Sequence, residues 1–585
     1  MRNKFNQDEF TSCASDIAKL QYLNNLLKQH QHKLLGDFSL CSLKHQSENI
    51  FNQIESFITL EDDQNSSYTL SLEDIEQVVA AKSMNSIDMV SFLQAPIESI
   101  LHATLPYTFV QNSNISSIST LAHLQNGEEI INEIYADTIL FLPYMPMQFE
   151  LIKQFVAKIK EVNLQNIDAI ILKDNTVLTF GNDVQTCYEN IIKVENKASQ
   201  YLVKNGAIVC GDEVENINKS LLDSIGNIFE KASNCIIDVY KTKNKDIPLQ
   251  TNLEVFAYMR KKLSDYSDSA LLAKFDDSKK AIHFSNFERL EILANKAPLS
   301  SYSVQLLGQD ALIINENTTQ SIEQYMEDEE QIVPAWAVWE NFGVISYASS
   351  LSSLYKTQTV VSNTISAMLK CDALGGYESF SQEEIEQIEN ESIIIESELD
   401  IYSGKVALVR NSNTKMGAKI VQELSNNGAV VVEVDDKNIK EVVDETIKNY
   451  GGIDIVVSNP NDKKDDKKPT LDEYMDNNFL KHKELLDAVL PFLKLGIDPT
   501  FIYLSSVVNQ DTGYLAANAA LNAYATAKAS KLEEYGIRIN CVSSNENEPT
   551  NDEDVARIVS LLCSNDFANS TGTTIIVDAQ RNHQY

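Results

Sequence analysis

The sequence predicts an α/β protein whose C-terminal third is a doubly wound parallel sheet. Three observations carry this expectation. From Lys405 the chain alternates strand and helix: Val406–Val409, Gly417–Asn426, Val430–Val434, Lys440–Tyr450 and Ile453–Val457. A βαβαβ alternation implies parallel pairing. A composition shift near Ser403 marks where this part begins. Upstream, a second α/β pattern runs from about residue 95 to 205.

The elements follow in order. Ser39 to Tyr68 is polar and weakly patterned, and loops are expected around Glu61 to Ser67. Ile97–Thr104 reads as helix; Thr138–Pro143, Ile167–Leu172 and Thr176–Phe180 read as strands. Asp183–Leu202 has apolar residues at helical spacing. Residues 210 to 300 read as mostly helical and charge-rich. Ile332–Ser349 reads as strands, and Leu351–Leu374 as a helix stopped by Gly375-Gly376. The charge run Asp462–Lys468 reads as a solvated loop. We therefore expect one domain over 1–400, with a core at about 90–205, a helical insert at about 206–300 and a return to sheet at about 301–400. A second domain is expected over 401–585.

Composition narrows the function. The 585 residues carry a formal charge of −36, which phosphate backbones and anionic membranes would repel. Nucleic acid is excluded as a natural partner on that ground. The eight cysteines show no CxxC spacing, so they read as reduced thiols of a cytoplasmic protein. The opening Met1-Arg2-Asn3-Lys4-Phe5 has no apolar core of a signal peptide. No apolar run approaches the ~18 residues that would span a bilayer.

Doubly wound sheets bind dinucleotides at a glycine turn after the first strand, where the backbone must approach the pyrophosphate. Here the turn reads Arg410-Asn411-Ser412-Asn413-Thr414-Lys415-Met416-Gly417, with only Gly417 left. An acid ending the second strand, which would take the ribose, falls at Asp435 or Asp436; the alternative is a solvated turn.

Residues 403 to 580 resemble a short-chain dehydrogenase/reductase domain. The resemblance rests on Gly404-Lys405-Val406-Ala407-Leu408-Val409, on Gly452-Ile453-Asp454-Ile455-Val456-Val457, and on Ser458-Asn459-Pro460-Asn461 where the family has Asn-Asn-Ala-Gly. Gly536-Ile537-Arg538-Ile539-Asn540 and Thr571-Gly572 to Val577-Asp578 are similar to its late strands. The family moves hydride to or from NAD(P) with an Asn-Ser-Tyr-Lys set. That set maps to Asn478, Ser505 or Ser506, Tyr514 and, at the lysine position, Asn518. Gly417, Asp435 and Asn459 are the remnants of the cofactor site that the resemblance implies. Without a neighbouring cation a tyrosine titrates near ~10, and a lost acid/base group commonly costs about 10²–10⁴-fold. Tyr524-Ala525-Thr526-Ala527-Lys528 is a second Tyr-x-x-x-Lys. The ungapped run from Asn518 to Gly536 favours Tyr514/Asn518, with Tyr524 and Lys528 as ordinary helix residues.

Residues ~95 to 205 resemble a class II aldolase/adducin-type domain. The motifs are His102-Ala103-Thr104-Leu105-Pro106-Tyr107, Asn126-Gly127-Glu128, Leu142-Pro143-Tyr144, Ile171-Leu172-Lys173 and Thr179-Phe180-Gly181. Such aldolases hold zinc with three histidines, two as His-x-His. Those positions read Asn112, Asn114 and Asp174 here, and neutral amides are poor zinc ligands. The family's phosphate loop would fall near Asp37 to Lys44, keeping at most Ser42 and Lys44. His102 matches a position outside the ligand set and reads as a packed helix residue.

Cys371 to Tyr377 and the acidic stretch to Glu398 resemble the joint of bifunctional class II aldolase/short-chain dehydrogenase enzymes of the rhamnulose-1-phosphate aldolase/lactaldehyde dehydrogenase type. Both sets of chemical residues are changed while the scaffold motifs persist. The resulting expectation is a pseudoenzyme: a cytoplasmic structural or regulatory protein, with no cofactor, that binds a protein partner or self-assembles. The alternatives are a divergent NAD(P)-dependent oxidoreductase, or a sensor that binds a nucleotide or sugar phosphate without turnover.

Overall fold

A computed structural model describes residues 1–30, 34–48, 51–62, 67–81, 98–144, 149–173, 176–207, 249–267, 269–295, 300–308, 310–328, 332–390, 399–460, 469–508, 511–545 and 552–577. The chain divides into two compact units.

The first unit comprises 1–242, 278–311 and 359–395. Its sheet holds β1 (Leu34–Glu48), β2 (Ile54–Asp62), β3 (Ser67–Ser71), β4 (Phe109–Ile115), β5 (Ile139–Leu142), β6 (Ala169–Leu172) and β7 (Thr176–Gly181). The order is β3-β2-β1-β4-β7-β6-β5. Only the β5–β6 pair is parallel. The predicted strands at 138–143, 167–172 and 176–180 are β5, β6 and β7. Helices α1 (Glu98–Thr104) and α2 (Val184–Lys204) also lie where helical spacing put them. The polar stretch after Ser39 is different. It forms a long hairpin, paired from Leu40↔Asp62 to Glu48↔Ile54. Gln46 to Glu48 and Ile54 to Ser56 are exposed, so the hairpin's outer half carries no buried face for an alternating pattern to reveal.

The second unit comprises 243–277, 312–358 and 396–585. It thus includes stretches that the sequence reading assigned to the N-terminal domain. These stretches supply helix α3 (Leu249–Ser264) and a small sheet of β8 (Leu272–Asp276), β9 (Leu312–Ile314), β10 (Trp336–Trp339) and β11 (Gly343–Ala348), in the order β8-β11-β10-β9. Residues 208–248, part of the stretch read as helical, lie outside the described residues.

The main sheet of this unit is parallel throughout: β12 (Val406–Arg410), β13 (Val430–Val434), β14 (Ile455–Ser458), β15 (Thr500–Val508), β16 (Arg538–Asn545) and β17 (Thr574–Val577). The order is β13-β12-β14-β15-β16-β17, the doubly wound arrangement the alternation predicts. Its connections include α4 (Lys415–Asn426), α5 (Ile439–Tyr450), α6 (Lys481–Leu493), α7 (Thr512–Leu532) and α8 (Asp552–Cys563). β12 and β14 are buried at every position, as strands covered on both faces must be. Gly451 stops α5 in the left-handed conformation at φ 80°, where a side chain would be strained. One core runs from Phe256 and Met259 of α3, through Trp339 and Tyr347 of the small sheet, to Ile447, Leu485, Phe501 and Leu521. The inserted segments are therefore part of this unit's core.

Candidate functional site

In open α/β sheets, ligands bind beyond the carboxyl ends of the strands. In the second unit β12 reaches that edge at Arg410, whose side chain is fully buried. Its Nε and Nη2 donate to the two carboxylate oxygens of Asp436, at 2.6 and 3.0 Å. Its Nη1 donates to the Asn459 carbonyl at 2.9 Å. The turn that follows is stitched down as well. Asn411 sits at φ 53°, a conformation that asparagine tolerates better than most side chains. Its Nδ2 also donates to the Asn459 carbonyl, at 2.8 Å. Asn459 Nδ2 in turn donates to Thr414 Oγ1 at 2.7 Å. Thr414 caps α4 by accepting from the Gly417 N–H at 3.0 Å. Asp435 accepts only the N–H of Lys437 two residues on, which is the turn reading. A Cβ on Gly417 would lie 2.4 Å from the Asn411 carbonyl oxygen, so packing of the chain on itself requires this glycine. The residues present do not fit a bound dinucleotide, because the acid and the turn already serve protein groups.

The four dehydrogenase-type positions are only partly brought together. Asn518, almost fully buried, accepts from the Ser506 N–H at 3.3 Å and donates to the Tyr514 carbonyl at 3.0 Å. The lysine position thus holds a neutral amide committed to the protein. Ser506 Oγ donates to the Ser544 carbonyl at 3.1 Å, and Ser505 Oγ donates to Asn522 Oδ1 at 3.0 Å. Tyr514 is half-buried with its ring edge-on to Tyr474. Asn478 sits in a single π-helical turn, Asp476–Leu480, and no hydrogen bond joins it to the other three. The second tyrosine motif faces elsewhere. Tyr524 packs edge-on against Phe479, and its hydroxyl is buried without a partner. Burial, then the Asp487 charge, pushes its phenol up to about 12. Lys528 lies over the ring, 5.5 Å from its centroid, and does not reach the hydroxyl.

Two features of this edge escaped the sequence reading. One is the Arg410–Asp436 clamp. An arginine ending an apolar strand, with an acid ending the next, was the available signal. The other is His482, fully buried, with neither ring nitrogen hydrogen-bonded. Burial, then the Arg410 charge, holds its pKa well below the usual histidine range.

In the first unit, Asn112 and Asn114 lie two apart on β4 and are both buried. Asn114 Oδ1 has no hydrogen-bond partner among the described residues, and the Asn112 amide lies against His102. His102 is buried beside Asn112, and its Nδ1 is 2.8 Å from Ser42 Oγ. Burial pushes the pKa of His102 down to about 3. Lys44 Nζ donates to the Ala103 carbonyl at 2.7 Å and to the Leu105 carbonyl, and burial pushes it down to about 8. Residues 37–44, where the resemblance puts a phosphate loop, belong to strand β1. Asp174 lies outside the described residues. Two neutral amides do not fit zinc. Among the described residues, no three His, Cys, Asp or Glu side chains converge as a metal site.

With this geometry established, the class of the C-terminal region follows from sequence. Residues 398–552 match the short chain dehydrogenase family. That region is a domain of short-chain dehydrogenase type.

Individual relatives extend the likeness. An uncharacterized oxidoreductase, YuxG of Bacillus subtilis, is 27% identical over 143 residues, 23% of this chain and 20% of its own length. L-fucose dehydrogenase of Bos taurus is 26% identical over 178 residues, 24% of this chain and 66% of its own. The 3-oxoacyl-[acyl-carrier-protein] reductase FabG of Haemophilus influenzae is 27% identical over 234 residues, 30% of this chain and 97% of its own. The matches thus span a fifth of YuxG and just under two thirds of the fucose enzyme. Among solved structures, the N-terminal class II aldolase domain of a conserved Thermoplasma acidophilum protein is 21% identical, covering 34% of this chain and 99% of that one, at a TM-score of 0.29. An Escherichia coli hydroxysteroid dehydrogenase is 18% identical, covering 31% and 97%, at a TM-score of 0.28.

Proposed function

We propose that this chain is a pseudoenzyme of the bifunctional aldolase/dehydrogenase type, working as a cytoplasmic structural or regulatory protein. It binds a protein partner or a second copy of itself, and it uses no cofactor. The observation that carries this reading is Asn518. A lysine there would lower the tyrosine's pKa and hold the nicotinamide ribose; the amide has no charge and is bonded to Ser506 and Tyr514. Independent substitution at Asn112 and Asn114 supports the same reading for the first unit. No helix among the described residues is long and apolar enough to cross a membrane.

The test is a hydride-transfer assay on the purified chain, with L-fucose and NAD(P)⁺ and with a 3-oxoacyl substrate and NAD(P)H. The expected result is no absorbance change above buffer. Turnover that disappears in Tyr514→Phe would instead establish a divergent oxidoreductase. That second reading is favoured by the family match over 398–552.

A further inference from the structure

We propose that Ser458, His482 and Tyr503 form a hydration site inside the second unit, holding at least one ordered water between the parallel sheet and α6. The placement follows from register. Ser458 on β14 pairs with Tyr503 on β15, and paired residues of adjacent strands project from the same face. Two residues earlier on each strand, Val456 and Phe501 point from that face into the larger core. α6 adds Leu485, Leu486 and Val489 to the same core. His482 lies three and four residues before the two leucines, so it shares their side of the helix. Its ring meets Tyr503 edge-on, with centroids 5.8 Å apart.

Apolar residues would fit these positions, whereas polar ones cost stability there unless they are hydrogen-bonded. All three side chains are buried. Ser458 Oγ, both His482 ring nitrogens and Tyr503 Oη have no hydrogen-bond partner among the described residues. Buried polar groups are nearly always bonded, to protein or to ordered water. The chemistry of the three suits water. Burial and the nearby Arg410 charge keep the imidazole neutral, so it offers one N–H donor and one bare acceptor nitrogen. Each hydroxyl can donate and accept, which supplies the two to four bonds that a buried water makes. No free charge lines the site. Arg410, the β12 neighbour of Ser458, is bonded to Asp436 and to the Asn459 carbonyl, so a small neutral molecule is the matching ligand. None of the three residues is one of the four dehydrogenase-type positions, and the inference stands apart from the catalytic question.

A crystal structure of the full chain at better than about 2 Å tests this. The expected result is water density within about 3.2 Å of a His482 ring nitrogen and of Ser458 Oγ or Tyr503 Oη. Empty density there overturns the proposal, and so do rotamers that bond the three side chains directly to one another. Deuteron relaxation dispersion, which counts waters held for longer than the protein takes to tumble, supplies the check in solution. Tyr503→Phe and Ser458→Ala should each lower the dispersion amplitude below that of wild type, with cooperative melting as the control for folding. Folded variants that keep the wild-type amplitude overturn the proposal. Should neither variant fold, the crystallographic density of the wild type decides alone.

Discussion

Arg260 and Asp454, 194 residues apart in the chain, form a two-pronged ion pair with both side chains fully buried. The distances are 3.0 and 2.7 Å. Asp454 also accepts the backbone N–H groups of Val406 and Ile497, each at 2.7 Å, and Arg260 donates to the carbonyls of Gly404 and Leu271. Both carboxylate oxygens and all three guanidinium nitrogens are therefore engaged inside the protein. Removing one partner leaves the other charged and buried, which costs about 3–5 kcal/mol. Arg260→Met should lower the unfolding free energy by that much in urea, and Asp454→Asn by a similar amount. The double variant should lose clearly less than the sum of the two, because it leaves neither charge buried without its partner.

Tyr524→Phe should be neutral or stabilising by up to ~1 kcal/mol, since the hydroxyl it removes is buried with no partner. Thermal melting checks this. A loss of more than about 1 kcal/mol would mean that the hydroxyl has a role the structure does not reveal.

Gly417→Ala should destabilise the chain by about 1–3 kcal/mol with no nucleotide present, because its Cβ would meet the Asn411 carbonyl at 2.4 Å. If the glycine mattered only for phosphate binding, denaturation of the nucleotide-free protein would be unaffected.

Stability should fall on mild acidification. His102 and His123 are buried, and burial pushes them down to about 3 and about 4, while His482 is held well below its usual value. Unfolded, all three take up protons near ~6.5. Between these values the unfolded state binds more protons, so stability is intact above about pH 6.5 and is lost as pH falls from there toward the folded values. Urea midpoints at pH 7.5 and pH 5 measure the slope, and His482→Leu should flatten it.

How much of this was legible in sequence depended on how each feature is encoded. The parallel sheet was readable because each strand and its crossover helix carry their own local pattern, from Val406 through Ser458. That a neutral amide stands four residues after Tyr514 was readable, because the two positions are a fixed distance apart in the chain. The hairpin of β1 and β2 was not, because exposure on both faces of its outer half removes the alternation that marks a strand. The Arg410–Asp436 clamp was half visible: both residues stood out, but nothing in the sequence says that one side chain turns onto the other. The place of 243–277 and 312–358 in the second unit was invisible, since a pair such as Arg260 and Asp454 leaves no periodic trace.

The scattered origin of the second unit's core has a consequence for synthesis. Helix α3, with Phe256 and Met259, leaves the ribosome long before the residues that bury it. At about 5–20 residues per second, the 194 residues between Arg260 and Asp454 take roughly 10–40 s to translate. Throughout that interval a nascent chain displays an apolar helix and a solitary cation whose counterpart has yet to be made. A C-terminal fragment started near residue 400 would lack a wall of its own interior.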